Sequence, residues 1–215
     1  MLAALACLVG IFGLLVIAEI LGKKHILKGE NHRKFLHITA GCFIAYWPWL
    51  ISWEAIKVIG LMMLVVTIFN HYFNLFNYRG KVGRASVGDI FLAASVFVLP
   101  FLTTNKVFFA IAMLEVALAD GLAAVIGKLY GKKWEYKVFG HKKTVIGSMF
   151  FWLASLCIFG IGLLAATQLI PFESYIIVLL FAPPLLTVAE NFSFYGLDNL
   201  VIPILSVLIL RIAQG

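Results

Sequence analysis

Met1-Leu-Ala-Ala-Leu-Ala-Cys-Leu-Val-Gly-Ile-Phe-Gly-Leu-Leu-Val-Ile-Ala18 opens the chain without a single charged side chain. A helix needs about 20 mostly apolar residues to cross the hydrocarbon core of a bilayer, and this stretch, extended to Gly22, has that length. No basic segment precedes it and no small-residue cleavage pattern follows it, so it reads as a first membrane span and not as a secretory leader. Working outward, the rest of the chain has the same character. Of its 215 residues 63% are hydrophobic and 13% are charged, and the mean hydropathy is +1.03. Ordinary globular domains carry about a quarter charged residues, which excludes a water-soluble fold.

The apolar segments predict helices over residues 2–22, 36–53, 55–77, 87–103, 107–127, 145–168, 174–192 and 198–213, the second, fourth and eighth being short. The expected fold is therefore all-α: a polytopic bundle of about eight transmembrane helices forming a single domain over residues 1–215. Ser86-Val-Gly-Asp89 fits a capping box at the start of the fourth helix. Pro183-Pro184 and Pro203 predict kinks or breaks in the last two, because proline removes a backbone donor that must be replaced within the membrane. Cys7, Cys42 and Cys157 lie in apolar runs with no short spacing and read as small buried hydrophobes. Gly160-Ile-Gly162-Leu-Leu-Ala165 superficially matches a dinucleotide fingerprint, but with no strand before it the segment reads as helix packing.

Fourteen of the 17 Lys and Arg residues fall in three loops. Loop one holds Lys23, Lys24, Lys28, Arg33 and Lys34. Loop three holds Arg79, Lys81 and Arg84, and loop five holds Lys128, Lys132, Lys133, Lys137, Lys142 and Lys143. Cytoplasmic loops carry such an excess, which puts the odd loops inside and the N-terminus outside. A net charge of +7 distributed in this way is the mark of a membrane chain with a basic cytoplasmic face, and no nucleic-acid partner is expected.

Ionisable groups within spans are costly and mark candidate sites. Glu115 and Asp120-Gly121 share the fifth span. With five α-helical positions between them they are about 140° apart and point to different faces. Asp120 is flanked by Ala119, Gly121, Ala123 and Ala124, small residues that admit a close neighbour. It suits either a hard cation such as Mg²⁺ bound with substrate phosphates or an interhelical hydrogen bond. Loop five interleaves its six lysines with Gly127, Gly131, Gly140 and Gly147, a composition that serves a polyphosphate or, equally, a topogenic loop near anionic headgroups. It has no Walker A spacing. Arg33 and His37 are four apart on one helix and converge on one anion or act separately, as a juxtamembrane cation and a buried histidine. Glu190 and Asp198-Asn199 form a second acidic cluster at the cytoplasmic ends of the last two spans, for a metal, a proton or the cap of the eighth helix. Asn70, Asn74 and Asn77, with His71 beside them, make one stripe that lines a lipid-hydroxyl pocket or joins helices.

Taken in order, Arg33-Lys34-Phe-Leu-His37-Ile, Asp120-Gly121-x-Ala-x-x-x-Gly127-x-x-x-Gly131, Lys143-Thr-x-x-Gly147-Ser148, and Glu190 with Asp198-Asn199-Leu-x-x-Pro203 resemble the polyprenol kinase family. That family includes dolichol kinases, phytol kinases and the CTP-dependent diacylglycerol kinase, with phosphatidate cytidylyltransferases as distant relatives. The resemblance spans residues 33–203 and implies phosphoryl transfer from a nucleoside triphosphate, usually CTP, to the hydroxyl of a membrane lipid. The carboxylates add an expected Mg²⁺, the short chain favours an isoprenoid alcohol, and the loop charges put the active site of this multi-pass protein on the cytoplasmic side, in a bacterial or archaeal plasma membrane. Arg33 and Lys34 match the family's basic pair, Asp120 its acid, Gly127 its loop glycine and Lys143 the lysine before Gly-Ser. Thr144 stands where many members have Ser, and Ala119 where Gly often precedes the Asp.

The resemblance and the chemistry of the residues together give the expected nucleotide-binding set as Arg33, Lys34, Gly127, Lys128, Lys142, Lys143, Gly147 and Ser148. The expected metal ligands are Asp120, Glu190 and Asp198, and Asp198 is the expected base, so that Asp120, Asp198 and Lys143 form the catalytic group. His37, Asn70, Asn74, Glu115 and Asn199 are expected near the lipid hydroxyl. Alternatives are a diacylglycerol kinase, a cytidylyltransferase that attacks the α-phosphorus, and a small transporter that uses intramembrane carboxylates as a proton relay.

Overall fold

The computed structural model describes residues 2–27, 29–73, 87–164 and 168–215. Ten helices and one hairpin are described: α1 Leu2–Lys23, α2 Glu30–Ala45, α3 Trp47–Leu50, α4 Trp53–Phe73, α5 Gly88–Leu102, α6 Lys106–Leu114, α7 Gly121–Tyr130, β1 Glu135–Val138, β2 His141–Thr144, α8 Val145–Leu164, α9 Phe172–Phe192 and α10 Asp198–Gln214. Among the described residues five helices are long and apolar enough to cross a membrane: α1, α4, the rod that runs from α6 through α7, α8 and α9. α5 is apolar but shorter.

The Lys106–Tyr130 rod is the axis of the bundle. Two-thirds of its apolar window is buried, against 11% for α1, and it packs against α2, α8 and α10. Phe108, Phe109, Ile111 and Met113 on α6 are fully or almost fully enclosed, as are Phe151 and Phe159 on α8. α1 instead exposes Leu2, Val9 and Phe12, the expected state of a helix whose outer surface faces lipid.

Between α6 and α7 the rod widens into a π-helical segment, Glu115–Asp120. The segment replaces part of the expected α-helical turn; Asp120 at its end meets Lys34 on α2 (2.8 Å), and Glu115 at its start is fully enclosed. Loop five is also corrected, because β1 and β2 pair antiparallel with Glu135 opposite Thr144 and Val138 opposite His141. Phe139 (φ 45°) and Gly140 (φ 80°) make its turn, the two positive φ values that a tight type I′ hairpin needs.

Pro183-Pro184 and Pro203 do not break their helices, since α9 and α10 run through them. Thr187 donates to the Pro183 carbonyl (2.7 Å), and Pro183 and Pro203 are packed in the interior. α2 begins at Glu30, six residues before the expected span, and ends at Ala45 with Tyr46 as its C-cap; the short α3 starts at Trp47 with Pro48 in its first turn. α5 has Val87 at its N-cap with no side-chain cap bond; Ser86 of the expected capping box lies outside the described residues, as do Lys28, Asn74, Asn77, Arg79, Lys81, Arg84 and Ala165. Only Cys7 of the three cysteines is buried, and Cys157 is exposed. Gly162 of the glycine pair on α8 packs against Ile111, where a Cβ would come within 2.6 Å of Cγ1.

Candidate active site

Asp120 closes the π segment, and the residues on either side of it explain its position. Gly121 lies under α2, so that a Cβ there would meet Ile38 Cγ1 at 2.5 Å. That close approach brings Lys34 to Asp120, Nζ to Oδ2 at 2.8 Å, with both side chains under a tenth exposed. One turn along α2, His37 donates from Nε2 to the Val116 carbonyl (3.0 Å) within the π segment and lies 3.7 Å from the same Asp120 oxygen. His37 thus fixes the segment that carries Asp120.

The lysine before the Gly-Ser pair is set by the hairpin. β2 delivers Lys143 to α9, where its ammonium bonds the Glu190 carboxylate and the Glu190 carbonyl (3.0 Å). Burial opposes the Lys143 charge, but the Glu190 carboxylate overrides it and holds the amine above its usual range. Thr144 then caps α8, its Oγ1 accepting from the Gly147 N–H (3.0 Å). Ser does the same at an N-cap, which explains why either hydroxyl serves at this position. Tyr136 of β1 ties the hairpin down through its hydroxyl, which bonds Ser148 on α8 (2.6 Å) and Asn191 on α9.

α7 and α8 touch at glycines. A Cβ on Gly127 would lie 2.5 Å from Thr144 Oγ1 and 3.2 Å from Gly147 Cα, so no larger residue fits without moving the cap. α10 begins at Asp198, whose Oδ1 accepts from the adjacent Asn199 N–H (3.0 Å). Asn199 in turn donates to the Gly88 carbonyl of α5 (2.7 Å).

Asp120, Glu190 and Asp198 each present one carboxylate oxygen within 4.8 Å of the other two. They lie in a cavity of about 700 Å³ whose wall includes Arg33, Lys34, Gly127, Lys128, Lys142, Lys143, Gly147, Ser148 and Asn199. The elements bring together residues as far apart in sequence as 33 and 199. Lys142 sits at the rim, paired with Glu135 (2.9 Å) where both are substantially exposed.

Three expected lipid-pocket residues lie elsewhere. His37, Asn70 and Glu115 do not line this cavity, and Asn74 lies outside the described residues. Asn70 is buried on α4. Glu115 is fully enclosed one π turn from Asp120, with neither carboxylate oxygen in a hydrogen bond among the described residues. Sequence reasoning missed Glu135, Tyr136, His141, Asn191, Ser193, Phe194 and Tyr195. Only pairing across the hairpin and the α9–α10 connection reveals them, and no fixed spacing marks such contacts.

Fold and site define a helical membrane protein with a charged cavity. The chain is 32% identical over 200 residues to phytol kinase of Synechocystis sp., an alignment that covers 89% of this chain and 83% of that protein. It belongs to the polyprenol and phytol kinase family. No protein-family profile matches the chain, and no solved structure matches it.

Proposed function

We propose that the chain is a lipid-alcohol kinase that transfers the γ-phosphoryl group of CTP to the hydroxyl of an isoprenoid alcohol, of which phytol, geranylgeraniol and longer polyprenols are the candidates. The observation that carries this reading is the meeting of three carboxylates, within 4.8 Å of one another, with Arg33, Lys34, Lys128, Lys142 and Lys143 around one cavity. Phosphoryl transfer asks for in-line positioning and for cations on the phosphate oxygens, with little covalent work from the protein. The similarity to phytol kinase supports the acceptor class.

The carboxylates fit a divalent cation. They are hard oxygen donors of the kind that bind Mg²⁺ together with substrate phosphates. Asp120, Glu190 and Asp198 would hold it, and it supplies neutralisation of the phosphate charge. Without ligand, Lys34 and Lys143 neutralise Asp120 and Glu190 directly. In the proposed working complex both ammonium groups turn to phosphate oxygens, with Arg33, Lys128 and Lys142 along the rest of the chain of phosphates. The backbone at Gly127 and Gly147, and the Ser148 hydroxyl, give those oxygens a close wall.

Asp198 is the proposed base. It takes the hydroxyl proton as the alcohol oxygen bonds to the γ-phosphorus, and the bond from that phosphorus to the β,γ-bridging oxygen breaks to release CDP. Asn199, beside it on α10, orients the alcohol. The eight-span arrangement belongs to the same reading, with α2–α3, α5 and α10 as the short spans, the N-terminus outside and the cavity facing the cytoplasm of a bacterial or archaeal cell. The 14 basic residues of loops one, three and five support that orientation. Purified protein supplied with CTP or ATP, Mg²⁺ and a panel of lipid alcohols tests the reading. Phosphorylated isoprenoid alcohol with CTP is the expected product; failure to phosphorylate any alcohol in the panel contradicts it.

A further inference from the structure

We propose that His141, Phe194 and Tyr195 form the subsite that holds the nucleobase of the phosphoryl donor. The proposal rests on the kinase reading and adds to it the place of the base. The His141 and Phe194 rings lie parallel, 3° between planes and 5.6 Å between centroids. Tyr195 stands edge-on to both, at 82° and 5.1 Å from His141 and at 82° and 5.8 Å from Phe194. The three rings make a corner with one wall parallel and one perpendicular, which offers a flat heterocycle a face to stack on and an edge to meet.

The corner lies in the wall of the charged cavity, and the cavity is graded from floor to mouth. Asp120 and Glu190 at the floor are 4% and 7% exposed, whereas Phe194 and Tyr195 are 39% and 59% exposed. A nucleoside triphosphate is polar at one end and flat and aromatic at the other. With its terminal phosphate at the carboxylates, its base reaches the mouth.

Backbone conformation supports the same assignment. Tyr195 has φ 58°, a left-handed value that costs a side chain of this kind energy and that glycine adopts freely. Such strain gathers at binding sites, where the surroundings hold it. Here the Tyr195 carbonyl accepts from the Val87 N–H (3.2 Å), and Gly196 follows at φ 90°. Phe194 is braced from the far side by Phe139 at the hairpin tip, centroids 6.1 Å apart. Two separate elements, the hairpin and the α9–α10 connection, therefore converge to build the corner. Rings at a membrane surface also anchor in lipid headgroups, but these three share their cavity with Glu135, Lys142 and Lys143.

The test uses the purified full chain and two variants. Tyr195→Gly removes the ring and suits the left-handed backbone; Tyr195→Phe keeps the ring. Loss of the edge-on ring predicts that Tyr195→Gly raises the nucleotide KM roughly five-fold while Tyr195→Phe stays within about two-fold of the parent. Inorganic tripolyphosphate, which has no base, should inhibit parent and both variants equally, and the KM for the alcohol should not change. An unchanged nucleotide KM in Tyr195→Gly, a change confined to the alcohol KM, or an equal loss of tripolyphosphate inhibition overturns the subsite and leaves the kinase reading standing. A parent protein that turns over no nucleotide overturns the kinase reading and the subsite with it.

Discussion

Lys34 and Asp120 are 86 residues apart in sequence and form a buried ion pair. Removing one partner of such a pair leaves an uncompensated charge and typically costs about 3–5 kcal/mol, whereas replacing both with apolar groups is often neutral. This allows a structural role to be separated from a chemical one. Asp120→Asn should abolish turnover and lower the unfolding temperature in detergent. The double variant Lys34→Met with Asp120→Leu should regain most of that stability and remain inactive. A double variant that regains activity along with stability would show that the pair only holds the helices together. The residue types were legible from sequence because a carboxylate or an ammonium inside an apolar span is conspicuous. Their partners were not, since no local spacing relates Lys34 to Asp120 or Lys143 to Glu190. Glu115 shows the limit from the other side: equally conspicuous in sequence, it lies outside the cavity.

Secondary structure determines which of these groups can act together. A π segment carries both Glu115 and Asp120, yet only Asp120 lines the cavity. A hairpin carries Lys143 to α9, although the loop reads as basic and glycine-rich without a clear strand. Its two strands have four residues each, and its turn places Phe139 where Asn is the usual signal, so the pattern is faint. The loop-five glycines were expected to give a phosphate a close wall; Gly127 instead lies tight against Thr144 and Gly147 of the chain itself. Gly127→Ala drives a methyl group into the Thr144 cap and the Gly147 backbone. Overpacking of this kind typically costs about 1–3 kcal/mol. Activity should fall at least ten-fold, because the displaced cap is next to Lys143, and thermal unfolding in detergent with a parallel turnover assay checks both. Wild-type activity in a Gly127→Ala protein whose stability has fallen would detach the α7–α8 contact from catalysis.

Over the whole molecule the apolar runs were the most legible feature. Eight of them were expected; among the described residues there are ten α-helices, and five helical stretches are long and apolar enough to cross a membrane. The orientation comes from charge and is separately testable. Single cysteines placed at Lys133 and at Asn105, in a background without the natural cysteines, should report opposite sides. An impermeant thiol reagent applied to intact cells should label the position at 105 and leave that at 133 until the membrane is opened; the reverse pattern contradicts a cytoplasmic site.

The central claim is that the cavity transfers a terminal phosphoryl group to a lipid hydroxyl. CTP labelled at either the γ- or the α-phosphate, given to purified protein with Mg²⁺ and an isoprenoid alcohol, tests that claim most directly. The account predicts label in the lipid from γ-labelled CTP and none from α-labelled CTP. Label reaching the lipid only from the α-position would contradict it and make the protein a nucleotidyltransferase.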